Sequence, residues 1–380
     1  MVAVNPSSAY SAYQSYSASY ATSPAASRSS TAAATTAQDQ QASTAGATEV
    51  VLSEEAKAAL AERDFAKVLA DARSKLTELL DEAGRTSPLQ KGKLALDLST
   101  LDHRELYAMS SDASFSADER EAAGLEMQRR FEAALAGPAA IARVTGNYTN
   151  LYKAAAAYLD GLGAEERASA DWKAGRAAVT EGLKQLQTKP GSLPDAGDSD
   201  PVALYLALAE AGDAAEPISM DDLASNTRTT LDRLYAEAKA NGKLATYNRQ
   251  TTTGTYIDMS RFSSRALSSI VLDTSGDFTQ TEINAARSAL QAKSGATLLA
   301  GFQSANKSGD PTAFSQNIIA AFTSLSAEER MAVGWSDKLY EAAMQSYAST
   351  SKLMSMFGQA TGGGSAGATG PGGLAALLGG

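Results

Sequence analysis

The feature that most constrains the fold of this chain is a stretch of sequence that occurs twice. The segment LDLSTLDHRELYAMSSDASFSADEREAA (Leu96 to Ala123) aligns with IDMSRFSSRALSSIVLDTSGDFTQTEINAA (Ile257 to Ala286). Gly276 and Asp277 form a two-residue insertion in the second copy, and the alignment continues beyond it with a constant shift. Before the insertion, identical residues meet at one offset: Asp97, Ser99, Arg104, Leu106, Asp112 and Ser114 with Asp258, Ser260, Arg265, Leu267, Asp273 and Ser275.

The shared register extends well beyond these segments. LGAEERASADW (Leu162 to Trp172) meets LSAEERMAVGW (Leu325 to Trp335), so both tryptophans of the chain fall at the same point of the repeat. Self-similarity of this kind is the sequence signature of a duplicated structural unit. The sequence therefore predicts two tandem units, unit 1 at residues 49–190 and unit 2 at residues 217–358.

The signals within each unit are helical, which predicts an all-α fold class. The segment from Val51 to Gly84 reads as a long amphipathic helix with Ser53 as its N-cap and glycine as its terminator. Its counterpart in unit 2 begins at Ser219 and ends at Asn241 and Gly242. Apolar residues make up 44% of the chain and aromatic residues only 7%, so much of the apolar content is alanine, the best helix former.

Three segments outside the units differ in composition. Residues 1–48 are rich in Ser, Ala and Tyr with almost no charge, which predicts a disordered N-terminal arm. Residues 191–216 read as a linker with a short helix, because Asp200 before Pro201 pairs a capping side chain with proline at the first helical position. Asp310 before Pro311 predicts another helix start in the same way. Residues 359–380 predict a flexible Gly-rich tail.

Charge and composition exclude several classes of partner and chemistry. A net charge of −10 repels phosphate backbones, so no nucleic-acid partner is expected. The chain contains no cysteine, which removes thiol catalysis and cysteine-bound metals. The longest apolar run, VALYLALA from Val202, is too short to span a bilayer, so no integral membrane segment is predicted. The first residues lack the pattern of a cleavable signal peptide, which favours a protein that is cytoplasmic or exported without one.

One loop has the composition of a metal site. In VLDTSGDFTQTEINAAR (residues 271–287), three oxygen-bearing side chains alternate and a glutamate follows at the next helix start: Asp273, Ser275, Asp277 and Glu282. The stretch from Asp273 to Glu282 resembles a shortened EF-hand loop, and the resemblance implies a calcium ion held by these four side chains. An EF-hand loop has twelve positions, and the glycine and the carbonyl ligand of positions six and seven have no counterpart here.

An alternative reading explains the same loop without a metal. Thr279 to Glu282 is a T-x-x-E sequence, and Ser116 to Glu119 in unit 1 is S-x-x-E. Both fit a capping box, in which an N-cap hydroxyl and a glutamate three residues later satisfy each other's backbone amides. Because both copies keep this pattern, the shared element is predicted to be the helix start.

A few further residues stand out from the pattern. In the arm, four tyrosines at helical spacing predict a segment that binds a partner, with a tyrosine-rich low-complexity tail as the alternative: Tyr10, Tyr13, Tyr16 and Tyr20.

His103, the only histidine, is expected to be incidental. Trp172 and Trp335 are expected to anchor their own helices in the core. Arg104 and Arg265 are expected to pair with Asp97 and Asp258 of the same repeat.

These observations favour a non-enzymatic helical protein with a protein-interaction or structural role. None of the common catalytic motifs is present, and no cofactor is expected apart from the calcium ion that the loop resemblance implies. The composition of residues 1–48 is similar to that of the leaders of bacterial proteins that are exported unfolded, flagellar-type export substrates included. The alternative function is a calcium-binding, EF-hand-like regulatory module that uses the loop of unit 2.

Overall fold

The computed structural model describes residues 54–362, with side chains described from residue 64 to residue 357. These residues form 13 α-helices and only four two-residue strands, which confirms the predicted all-α fold class. The predicted arm at residues 1–48 lies outside the described residues, and so does most of the predicted tail. The last helix extends to Gly362, beyond residue 358, where unit 2 was predicted to end.

Unit 1 consists of a long helix, a short antiparallel strand pair and five further helices. In chain order these elements are α1 (Glu54–Ala83), β1 (Leu89–Gln90), β2 (Lys93–Leu94), α2 (His103–Ser111), α3 (Ala117–Thr145), α4 (Thr149–Asp160), α5 (Ala164–Ala168) and α6 (Ala170–Thr188). The predicted short helix follows as α7 (Pro201–Ala211).

Unit 2 repeats the same order of helices. Its elements are α8 (Met220–Ala240), β3 (Ala245–Thr246), β4 (Thr255–Tyr256), a 3-10 turn (Met259–Arg261), α9 (Ser264–Leu272), α10 (Gln280–Ser308), α11 (Ala313–Ser324), α12 (Ala327–Val333) and α13 (Asp337–Gly362). Here the strand pair is parallel, because a longer loop separates β3 from β4. This recurrence of elements is what the predicted duplication requires.

The helix starts follow local side-chain chemistry. Ser116 with Glu119, and Thr279 with Glu282, form the predicted capping boxes at the starts of α3 and α10. Asp200 caps α7 and accepts a hydrogen bond from the backbone N–H of Val202. The prediction at Asp310 was less accurate: α11 begins only at Ala313, and the Asp310 carboxylate accepts from the backbone N–H of Thr312 in the preceding turn.

The two units pack directly against each other. Where α1 ends against α8, the Arg85 guanidinium lies 2.6 Å from the Asp222 carboxylate, and the Asn226 side chain donates to the carbonyl of Ala95. At the crossing of α3 and α11, Gly137 faces Ala320 so closely that a Cβ at Gly137 would lie 2.7 Å from the Ala320 Cα. The two units therefore share an interface.

The apolar core also crosses the boundary between the units. Ile218, Leu223 and Ala266 of the second half belong to the same buried cluster as Leu76 and Leu106 of unit 1. A smaller cluster joins one residue of α3 to α11 and α13: Ile141 with Ile319, Ala343 and Tyr347. Within residues 54–362, no helix combines the length and the apolar character needed to cross a bilayer.

Candidate functional site

The loop with the EF-hand resemblance joins α9 to α10. Asp273 ends α9 in the left-handed conformation, with φ of 42°, and its Oδ1 accepts a hydrogen bond from the backbone N–H of Phe278 at 3.2 Å. Ser275 and Asp277 are exposed in the turn between them. The Asp273 side chain therefore closes the loop onto its own backbone.

Glu282 is buried and already surrounded by donors. Its side chain accepts from the backbone N–H and hydroxyl of Thr279, from the Tyr235 hydroxyl at 2.8 Å and from the Arg228 guanidinium at 2.9 Å. Burial raises the pKa of the Glu282 carboxyl, but these hydrogen bonds outweigh burial and hold the pKa below its usual value. Glu282 is thus an ionised structural carboxylate.

To bind a calcium ion, Glu282 would have to exchange these donors for the metal. Among the described residues, no group of three or more His, Cys, Asp or Glu side chains is placed to hold a metal. Calcium binding stays a prediction from the sequence, and titration tests it. The four predicted ligands are Asp273, Ser275, Asp277 and Glu282.

An arginine supports the same helix start in both units. In unit 1 the Arg73 guanidinium lies 3.0 Å from the Glu119 carboxylate and 3.7 Å from the centre of the Phe115 ring. In unit 2 Arg228 binds Glu282 and lies 5.5 Å from the centre of the Phe278 ring. Each arginine also donates to the carbonyl just before its phenylalanine. Sequence reasoning missed both arginines, because they lie on α1 and α8, outside the aligned segments.

The predicted partners of Arg104 and Arg265 were wrong. Arg104 forms an ion pair with Glu165 on α5, and Arg265 pairs with Glu329 on α12 at 3.2 Å. The aspartates instead shape local turns: the carboxylate of Asp97 accepts from the backbone N–H of Ser99, and Asp258 binds Ser260 in the same way. The arginine partners lie some 60 residues away in sequence, where a turn-based argument has no access to them.

This pairing leaves the Glu166 carboxylate in unit 1 without an ion pair among the described residues. Glu166 is 5% exposed, and its Oε2 has no hydrogen-bond partner within the described part of the chain. Burial raises the pKa of the Glu166 carboxyl to about 7. In unit 2 the aligned residue is Glu329, which Arg265 neutralises.

The histidine and the two tryptophans have packing roles. The His103 ring lies edge-on to the Tyr158 ring with centroids 5.3 Å apart, and burial lowers the pKa of His103. The Trp172 indole donates to the carbonyl of Leu159 at 2.9 Å. Trp335 stacks on Phe322 with centroids 6.4 Å apart. Each tryptophan fixes helices of its own unit, as the sequence predicts.

Exposed apolar side chains cluster in two places on or beside unit 2. The first is a groove of about 360 Å³ between α3, α10 and α11, whose lining includes Ala134, Leu298, Phe302, Phe314 and Ile318. Phe302 and Phe314 are 47% and 45% exposed, and their rings meet edge to face with centroids 5.7 Å apart.

The second place is the far part of α13. The near part of this helix packs on α11, where Ala343 and Tyr347 are buried and the Ser346 hydroxyl lies 3.0 Å from that of Ser315. Beyond this contact, three apolar side chains within four residues are about half exposed: Leu353 (54%), Met354 (46%) and Met356 (56%). The predicted interaction residues Tyr10, Tyr13, Tyr16 and Tyr20 lie outside the described residues.

Comparisons of the chain with protein-family models, curated proteins and solved structures find no match. The function must therefore be argued from the surface of the molecule itself.

Proposed function

We propose that this chain is a non-enzymatic interaction protein that binds a partner protein through the far part of α13. The observation that carries the proposal is the exposure of Leu353, Met354 and Met356 on α13, beyond the part of this helix that packs on α11. Single exposed apolar residues are ordinary, whereas several together on one element mark interaction surfaces. Met354 follows buried Tyr347 by two helical turns, so the apolar stripe of α13 continues past its contact with α11.

The chemistry of this segment favours a particular kind of partner. An amphipathic helix binds by laying its apolar side chains into a groove of the partner, and flexible methionine side chains adapt to the shape of such a groove. Residues 348–362 contain one charged side chain, Lys352, in a chain with a net charge of −10. The partner that fits is therefore a protein with an apolar groove.

Capture of partners by variant chains tests the proposal. The test variant carries Leu353→Ser and Met354→Ser, and the control variant carries Leu244→Ser, a residue 84% exposed in the loop after α8. Leu353 and Met354 are about half exposed, so binding buries about half of each side chain and the loss of both costs about 1.5–3 kcal/mol in total. We therefore expect the test variant to bind roughly tenfold to a hundredfold more weakly. The proposal is rejected if both variants capture the same proteins as the wild type from a lysate of the source cells.

The composition of residues 1–48 supports a second part of the proposal, namely that the chain is bacterial and is exported or associated with a flagellar or other secretion system. Deletion of residues 1–48 tests this part: we expect the protein to disappear from the medium and accumulate inside the cell. Unchanged secretion of the shortened chain would refute it.

We also infer that the two units arose by duplication. The shared order of helices and the repeated contacts of Arg73 and Arg228 at a capping glutamate support this inference.

A further inference from the structure

Aligned positions of the two units differ in burial at one place. With the shift that follows the two-residue insertion, Ala139 and Leu151 of unit 1 align with Phe302 and Phe314 of unit 2. Ala139 and Leu151 are 1% and 0% exposed, whereas both phenylalanines are almost half exposed. Larger apolar side chains thus occupy the less covered positions, which is the reverse of what burial of apolar surface favours.

Helix α7 contributes to the burial in unit 1. After α6 ends at Thr188, the chain turns back, and α7 places Val202 and Tyr205 in the same buried cluster as Ala139 and Leu151. The Tyr152 hydroxyl on α4 also donates to the carboxylate of Asp200 at the start of α7.

In unit 2, α13 takes the place of α6, and within the described residues no helix follows it. Among the described residues, no helix packs beside Phe302 and Phe314 as α7 packs in the cluster of unit 1.

The remainder of the chain contains a short segment with the same pattern as α7. In α7, Leu204 follows Pro201 by three residues, and after α13 Leu374 follows Pro371 by three residues. Leu374, Leu377 and Leu378 have the i, i+3, i+4 spacing that forms one apolar face of a helical turn. The segment is otherwise made of alanine and glycine, so these leucines are its only large apolar side chains.

We propose that residues Leu374–Leu378 of this chain dock in the groove between α3, α10 and α11 and cover Phe302 and Phe314, as α7 covers the aligned positions of unit 1. This inference concerns the groove and does not rest on the function proposed for the far part of α13.

The length of the chain beyond α13 permits this docking. The contact between Ser346 and Ser315 places that turn of α13 beside the start of α11, next to Phe314. From Ser346 to Gly362 the helix runs on by about 24 Å, at about 1.5 Å per residue. The chain from Gly362 to Leu374 spans up to about 40 Å when extended, at about 3.3 Å per residue. The return path is therefore within reach.

Tethering also favours this occupant over a separate molecule. A segment tethered to its own chain has an effective concentration in the millimolar range at its own groove, above that of most free partners. Even a weak apolar contact is then populated.

Hydrogen exchange of the full-length chain tests the proposal. The test variant carries Leu374→Ser, Leu377→Ser and Leu378→Ser, and the control variant carries Ala366→Ser and Ala368→Ser in the same tail. We expect the test variant to exchange at least severalfold faster in peptides from α10 and α11 that border the groove, and no change in α4. Equal exchange in wild type and test variant, or the same acceleration in the control, would overturn the proposal.

Cross-linking identifies which molecule supplies the segment. Because the chain has no cysteine, Thr297→Cys at the groove and Leu378→Cys in the tail form the only thiol pair. We expect a disulfide within one chain, formed much faster than in a control that pairs Leu378→Cys with Leu244→Cys. Equal rates in the two variants, or disulfide-linked dimers alone, would reject docking within the chain, and dimers would assign the groove to a second copy.

Discussion

Replacing Glu166 by glutamine should stabilise the folded chain at neutral and alkaline pH. Glu166 lies on α5, 5% exposed, and its Oε2 lacks a hydrogen-bond partner within the described residues. In unit 2 the aligned glutamate, Glu329, is neutralised by Arg265. The aligned arginine of unit 1, Arg104, instead forms ion pairs with Glu165 and Asp64. Ionised Glu166 is therefore a buried charge without compensation, and glutamine keeps its size while removing that charge.

The magnitude follows from the pKa of this carboxyl. Burial raises the pKa of Glu166 from its usual 4.5 to about 7, so the folded chain binds the proton more tightly than the unfolded chain. At about 1.4 kcal/mol per pH unit, this difference amounts to about 3 kcal/mol of free energy of unfolding. The contribution is fully present below pH 4.5 and is lost as the pH rises through 7. The glutamine variant has no such loss.

Urea unfolding at several pH values between 5 and 8 measures the effect. We expect Glu166→Gln to exceed the wild type in free energy of unfolding by up to about 3 kcal/mol at pH 8, with the difference shrinking toward pH 5. Glu329→Gln is the matched control: it removes a carboxylate paired with Arg265 and should destabilise the chain. The reasoning is refuted if Glu166→Gln is no more stable than the wild type at pH 8, or if its advantage does not depend on pH.

Three further predictions address other parts of the structure. Arg228→Ala should lower the free energy of unfolding by about 1–3 kcal/mol in urea, because it leaves a buried carboxylate short of a donor; a loss below about 0.5 kcal/mol would contradict this. Calcium titrated into the chain should give no heat beyond dilution, and a saturable isotherm abolished by Asp273→Ala would instead show that the loop rearranges around the ion. Gly182→Ala should destabilise the chain by about 1–3 kcal/mol, because the new Cβ would lie 2.2 Å from the Tyr152 ring. Gly124→Ala is the control and should not destabilise the chain, because no atom lies within 4 Å of its Cβ position. Equal melting temperatures of the two variants would refute this prediction.

Local features of the fold could be predicted from the sequence because their causes are local. The capping boxes at Ser116 and Thr279 depend on two side chains three residues apart, and both formed as predicted. The start of α7 at Pro201 has the same kind of cause. The repeated sequence also predicts the same order of helices in both units, because similar sequences have similar packing constraints.

Contacts between distant segments could not be predicted in this way. Arg104 follows Asp97 by seven residues in sequence but binds Glu165, which lies much further along the chain, because folding brings α5 against α2. The uncompensated burial of Glu166 follows from that choice, and no local pattern reveals it.

The candidate surface on α13 was beyond prediction for a related reason. Leu353 and Met354 continue an apolar helical pattern that in sequence resembles a buried face. Their exposure depends on where α11 stops supporting α13, which only the packing of the two helices determines. The tyrosines of the arm were a more visible signal, but they lie outside the described residues.

The most direct test of the account is the affinity of a purified, captured partner for the wild-type chain and for the chain with Leu353→Ser and Met354→Ser, measured side by side. Light scattering of both chains ensures that neither has changed its oligomeric state. The account predicts that the double substitution raises the dissociation constant roughly tenfold to a hundredfold. An unchanged dissociation constant would contradict the assignment of partner binding to the far part of α13.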